Sequence, residues 1–238
     1  MEKPIKPLKG KAYGSIPHLP GSRLGEGDHH AHQGQSDICL IKPRKGDRII
    51  VQEKLDGACM SVANIDGELV ALSRAGYKAK DALYEHLKMF DTWFEMNRSN
   101  FDFLKPGERL VGEWLAMAHG TIYDPDHFWF KPFVAFDLIR DGKRVIMDEF
   151  NNRVYLRLPR ATTLHDSNSS YSIKRAMDRL DTSNGYHGAA EKVEGAIWRV
   201  ENDKGVDFLA KYVRHDKQDG KYLPNISGKP AIWHWKPE

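Results

Sequence analysis

The stretch Val51-Gln52-Glu53-Lys54-Leu55-Asp56-Gly57-Ala58-Cys59-Met60 (VQEKLDGACM) reads as a β-strand that meets a charged step and a glycine turn, then resumes as a strand. A lysine at such a strand end acts as a covalent nucleophile if its amine is kept partly neutral, and burial or nearby cations lower its pKa towards that state. Asp56, two residues on, falls on the same side of an extended chain, where it would orient the amine or a sugar hydroxyl. Gly57 would let the backbone come close to a ligand. A solvated lysine beside an Asp-Gly turn produces the same pattern, so K-x-D-G by itself is a weak signal.

Outward from this step the pattern stays β: RIIVQEKL (48–55), ACMSVANI (58–65) and ELVALSR (68–74), with Asp66-Gly67 between the last two as a hairpin signal. The spacing of Leu83, Leu87, Phe90 and Phe94 predicts one apolar face of a helix over residues 81–97. Residues 110–115 and 133–139 read as strands, the second turning at Asp141-Gly142 into KRVIM. Helices are expected around 148–157 and 172–181. A final strand pair, 195–200 and 206–213, is joined through Asn202-Asp203-Lys204-Gly205. Residues 1–46, rich in Gly, Pro and His, read as an irregular lead-in with short strands, 47–214 as the patterned core and 215–238 as a tail. The economical expectation is a single α+β domain with curved antiparallel sheets flanked by helices.

Composition narrows the classes. The chain has 238 residues, 40% of them hydrophobic and 29% charged, as in ordinary soluble globular proteins. A net charge of +3 permits nucleic-acid binding without arguing for it. Two cysteines in no metal-ligand or disulfide spacing make a reduced, cytoplasmic setting the expectation. No apolar stretch approaches a membrane span, and none marks a targeting leader, so no membrane partner is expected.

Read in order, the chain carries EKLDG (53–57), SRAGY (73–77), GEW (112–114), VAFDL (134–138), VEGAIWR (193–199) and FLAKYVR (208–214). This ordered set resembles the covalent nucleotidyltransferase superfamily of RNA ligases, DNA ligases and mRNA capping enzymes, and is most similar to the ATP-dependent RNA ligases. The resemblance implies an adenylyltransferase (ligase adenylation) domain and an AMP-forming RNA ligase of RNA repair or processing. In such an enzyme Lys54 attacks the α-phosphorus of ATP and carries AMP as lysyl-adenylate. AMP then passes to a 5′-phosphate, and a 3′-hydroxyl seals the break. It also implies that Glu194 binds a divalent metal, Mg2+ or Mn2+, and that Lys211 meets the α-phosphate. Arg74 would contact the ribose and the 5′-phosphate of the polynucleotide, Glu113 the ribose, and Phe136 would stack on adenine. Glu53, Asp56, Gly57 and Asp137 lie inside the motifs. IPHLPGSRLG (16–25) resembles the lead-in that borders the adenine pocket and nominates His18 and Ser22.

Taken singly, each residue has a plainer reading: Glu113 and Glu194 as strand acids, Phe136 as a core aromatic, Arg74 as a surface arginine. In the strand VAFDL, simple alternation sets Ala135 and Asp137 opposite Phe136. Two features depart from the family pattern. The last motif has one lysine where many RNA ligases have lysine-x-lysine, and Arg214 is the nearest candidate for the second cation. The 27 residues after Lys211 leave no room for an OB-fold. The aromatics of the tail, Trp233 and Trp235, are expected to pack back on the domain. RNA is the expected partner; DNA, a capping-type nucleotidyltransferase, and a non-ligating nucleotide binder or protein AMP-transferase stay open, as does any protein partner.

Overall fold

The structure, a computed structural model, describes residues 5–183 and 185–237. Its strands, all antiparallel, are β1 (Arg48–Lys54), β2 (Ala58–Ile65), β3 (Glu68–Ser73), β4 (Glu108–Trp114), β5 (Phe133–Arg140), β6 (Lys143–Arg144), β7 (Thr163–Ser167), β8 (Gly195–Asn202) and β9 (Gly205–Val213). They form two sheets, in the orders β7-β1-β8-β9 and β3-β2-β4-β5-β6. The helices are α1 (Gln33–Leu40), α2 (Glu85–Met96), α3 (Met147–Val154), α4 (Ile173–Ser183) and the single turn α5 (Pro224–Ser227). The fold is α+β, as the sequence predicts. Among the described residues no helix is long and apolar enough to cross a membrane.

Alternation along β1 links the layers. Ile49 and Val51 join a buried cluster with Leu164 of β7 and Ala176, Met177 and Leu180 of α4. Ile50 faces the other way, into a cluster with Phe90 and Phe94 of α2, Trp114 of β4 and Phe133 of β5. Gln52 and Lys54 share the side of Ile50 by the two-residue period of a strand, and therefore open between the sheets. Both short hairpins form at the expected Asp-Gly pairs. Asp66 and Gly67 have φ of 53° and 94°, and Asp141 and Gly142 have 48° and 81°, the left-handed pair that a tight two-residue hairpin needs.

Four expectations change. The helix predicted from residue 81 begins at Glu85, after a separate turn at Ala79–Asp81, and Leu83 is 93% exposed. Trp93, not Leu83, completes the buried face with Phe90 and Phe94, because Tyr84 is extended and breaks the phase of the pattern. The lead-in contains α1, whose buried positions are Ser36 and Cys39, too few apolar residues to show a period. β7, with the sequence TLHDS, carries no strand pattern either; it forms by pairing with the edge of β1. Finally, β4 and β5 pair Gly112 with Ala135 but Val111 with Asp137. Phe136 is the extra residue of this bulge, so Phe136 and Asp137 face the same side instead of opposite sides.

The bulge lets Asp137 tie the sheets together. Arg199 on β8 donates to Asp137 across 3.0 Å and to Glu201 across 2.6 Å, and it also reaches the Val145 carbonyl. Tyr13 and Arg144 donate to the other Asp137 oxygen, at 3.0 and 2.9 Å. Both Asp137 and Arg199 are buried, so removing one partner strands the other charge away from water. Asp137→Ala is expected to cost about 3–5 kcal/mol in urea denaturation. Lys174→Ala, at the exposed Lys174–Asp178 pair, should stay within about 0.5 kcal/mol.

Candidate active site

A cleft of about 400 Å³ opens between the two sheets, and most of the motif residues line it. Lys54 enters from the end of β1, Asp56 and Gly57 from the following loop, Glu113 from β4 and Phe136 from the β5 bulge. Glu194, just before β8, and Lys211 on β9 face them, and Arg74 stands at the rim after β3. Gly57 earns its place through a neighbour. A Cβ there would lie 2.4 Å from the Trp114 carbonyl oxygen, so only glycine lets this loop press on β4. Its N–H donates to Glu113 at 3.1 Å, which aims that carboxylate.

The electrostatics centre on Lys54. Its ammonium pairs with Glu194 and also donates to the Leu55 carbonyl at 3.4 Å. Burial opposes the charge, but Glu194, Glu113 and Asp56 outweigh it and hold the amine above the ordinary lysine range. This corrects the expectation of a lysine kept partly neutral: the neighbours that decide its charge are carboxylates. Burial in turn pushes Glu194 up to about 7 and Glu113 up to about 8, with Lys54 opposing both shifts. Lys211 is lowered, by burial first and by Lys54 second. Two crowded carboxylates presenting hard oxygen donors suit a Mg2+ or Mn2+ ion. Among the described residues no three His, Cys, Asp or Glu side chains converge as a metal site, so such an ion would draw its remaining ligands from water and substrate oxygens.

Several nominated residues stand elsewhere. Asp137 lies in the buried tie beneath the cleft and is engaged by Tyr13, Arg144 and Arg199. Arg214 cannot stand in for a second motif lysine: its guanidinium is held by the Val193 carbonyl at 3.1 Å and by Asp181 at 2.6 Å. Alternation explains this, since Arg214 is an odd number of residues from Lys211 along the strand direction. His18 and Ser22 form a layer behind Lys211. The His18 Nδ1 and Ser22 Oγ atoms are 2.6 Å apart, His18 Nε2 is 2.9 Å from Asp28, and Asp28 is 3.4 Å from the Lys211 ammonium. Glu53 lines the cleft, but its carboxylate accepts the Tyr186 N–H at 3.0 Å and makes no hydrogen bond to Lys54.

The cleft also has residues that the motifs do not contain. Tyr13 and Ile16 come from the lead-in, and His119, Asp219 and Gly220 from loops. His119 lies near Asp56, and its Nε2 is buried without a hydrogen-bond partner. Tyr13 meets Phe136 edge-on at 5.4 Å. No spacing in the sequence signals these positions, because loops carry them to the cleft. The tail does pack back: His234 spans the Leu115 carbonyl and the Tyr123 N–H, and Trp235 meets Trp114 at 5.4 Å. Beside β1, Arg44 pairs with Asp47 and Asp207, and Arg48 with Asp148 and Asp166.

Glu53 offers a pH test. Burial raises it to about 7, with the Tyr186 N–H opposing, against about 4.5 in an unfolded chain. Folding therefore favours its protonated form: the contribution is full below pH 4.5 and is lost as pH rises through 7. Glu53→Gln should flatten that decline by on the order of 3 kcal/mol between pH 4.5 and 8. Denaturation curves measured at both pH values check it, and parallel losses in mutant and wild type would exclude the assignment.

The profile of the RNA ligase family matches residues 47–213. No curated protein matches the sequence. Among solved structures, Naegleria gruberi RNA ligase with PPi is similar at 16% identity and a TM-score of 0.53, over 90% of this chain and 62% of that one. A variant of the same ligase with AMP and Mn aligns at 17% identity and 0.53, over 83% and 59%. A second variant with AMP and Mn aligns at 16% identity and 0.50, over 71% and 50%. This chain thus spans 50–62% of the length of these ligases, and at such identity the likeness is one of fold. The matched profile runs from just before β1 to the end of β9 and so contains both sheets and the whole ordered motif set. The chain belongs to the RNA ligase family.

Proposed function

We propose that this chain is the single adenylyltransferase domain of an ATP-dependent RNA ligase that joins 3′-hydroxyl and 5′-phosphate ends through lysyl-AMP. The observation that carries the reading is the convergence of Lys54, Glu113, Glu194, Lys211 and Phe136 on one cleft, within the span matched by the RNA ligase family. The Naegleria ligase has been solved with ATP and Mn, with AMP and Mn, and with PPi, which supports ATP and a divalent metal as the reactants here.

In the first step Lys54 Nζ bonds to the α-phosphorus as the bond to the β-phosphate oxygen breaks, and pyrophosphate leaves. The amine must lose its proton to solvent first, and the carboxylates around it oppose that loss. A Mg2+ or Mn2+ ion held by Glu194, with Glu113 beside it, would supply positive charge against the phosphoryl oxygens when bound. Lys211, steadied by Asp28, adds a second cation at the α-phosphate. Phe136, braced edge-on by Tyr13, offers a flat apolar face to adenine. In the second step an oxygen of the RNA 5′-phosphate attacks the same phosphorus and the P–N bond breaks, with Arg74 at the rim to receive that phosphate. In the third, the 3′-hydroxyl oxygen attacks the 5′-phosphorus, its proton leaves to solvent, and AMP departs.

Incubation with α-labelled ATP in Mg2+ or Mn2+ should leave label on the denatured protein, and GTP should leave none. Lys54→Ala is expected to abolish labelling, and Glu194→Ala to reduce it by at least about a hundredfold. Nicked duplexes with RNA or DNA at each side of the break then identify the substrate. Folded protein that takes no label in any condition, and carries no AMP already, would sink the reading.

A further inference from the structure

A second depression, a surface groove of about 940 Å³, shares Ala161 with the nucleotide cleft and runs past the segment Tyr155–Arg160 and the Phe128-Trp129 pair. Its side chains are unusual for a solvent-facing surface. Phe128 is 78% exposed, Trp129 64% and Leu156 88%, with Tyr155 exposed beside them. Phe128 and Trp129 pack edge-on at 4.7 Å, which fixes one aromatic corner of the groove. Leu156 is held out at a φ of 62°, a left-handed conformation that disfavours a leucine.

The charges are one-sided. Lys131, Arg157 and Arg160 line the groove, and among the described residues no aspartate or glutamate does. Arg157 rests on the Phe103 ring at 5.4 Å, and Arg160 lies over Tyr155 at 5.8 Å while donating to the Asn151 side chain at 2.8 Å. Their guanidiniums are oriented by rings and an amide, which leaves their charge available to an anion. Three further polar groups on the lining, Asn97, Asn100 and Asn151, carry both donors and acceptors.

We propose that this groove binds single-stranded RNA. Exposed aromatic faces beside unneutralised cations are what an unpaired strand requires: bases stack on the rings while phosphates meet the cations. A duplex keeps its base faces inside the helix and would leave Phe128, Trp129 and Tyr155 unused. A protein partner would cover the apolar side chains, but it gives no reason for a lining with three cations and, among the described residues, no acid. The choice of RNA over DNA rests on the ligase function proposed above, and the groove would give the chain a grip on the strand outside the cleft that reacts.

The test is fluorescence anisotropy of a labelled RNA strand of about 12 nucleotides with the full chain, over a salt series. Phe128→Ala with Trp129→Ala should weaken binding by about tenfold or more. Arg157→Gln with Arg160→Gln should weaken it and reduce the slope of log affinity against log salt by about 1.4. Both double variants should keep the wild-type melting profile and the wild-type labelling of Lys54 by ATP. Unchanged RNA affinity in both folded variants overturns the proposal. So does a result in which the aromatic variant only breaks an association between protein copies, read by sedimentation. If Lys54 takes no label in the wild type but RNA binding still depends on the groove, the ligase reading falls and the RNA site stands.

Discussion

Lys54 is held at the end of β1 by a carboxylate that comes from the other end of the chain's patterned core. Its pair with Glu194 joins the last residue of β1 to the residue just before β8, and the two strands run in register from Arg48↔Glu201 to Lys54↔Gly195. That register decides which face of β1 opens between the sheets. With it fixed, Ile49 and Val51 must fill the core under α4, and Gln52 and Lys54 must point into the cleft. A slip of one residue would exchange the two faces of the strand and bury Lys54 among apolar side chains. Glu194 pairs with Lys54 at the end of the ladder that this register defines.

The cleft is assembled against its own electrostatics. Glu194 and Glu113 sit well above the usual carboxylate range because burial disfavours their charged forms, while Lys54 sits above the usual lysine range because they surround it. Groups shifted in this way cost folding stability and are typical of sites that handle charge transiently. Support comes from behind. Ser22, His18 and Asp28 stand in line at the back of Lys211, and Tyr13 braces Phe136 while bonding Asp137. Tyr13, His18 and Ser22, buried residues of the lead-in outside its helix α1, thus form the rear wall of the site.

Much of this was legible in the residues. Alternating apolar runs mark β1, β2, β3, β4, β5, β8 and β9, and Asp-Gly pairs mark both tight hairpins, because a left-handed pair of turn residues leaves little chemical choice. The ordered motifs brought together Lys54, Asp56, Gly57, Arg74, Glu113, Phe136, Glu194 and Lys211, all of which line one cleft. The losses have physical causes. β7 and α1 have weak patterns because pairing or a few buried positions stabilises them, and the start of α2 was misplaced because Leu83 repeats the right spacing without joining the face.

What the sequence determines by itself is local: strand period, turn chemistry, and the order in which the chemically distinctive residues occur. Those properties depend on neighbours in the chain, and the family resemblance rests on them. The tertiary structure decided the rest, because it depends on contacts between distant residues. A bulge opposite Val111 and Gly112 turned Phe136 and Asp137 to one side, giving one to the cleft and the other to the tie with Arg199. Arg214 was drawn to Asp181 and the Val193 carbonyl, and Glu53 to the Tyr186 backbone. The charge on Lys54 was set by Glu194 and Glu113, 140 and 59 residues away, and no reading of its own strand contains them.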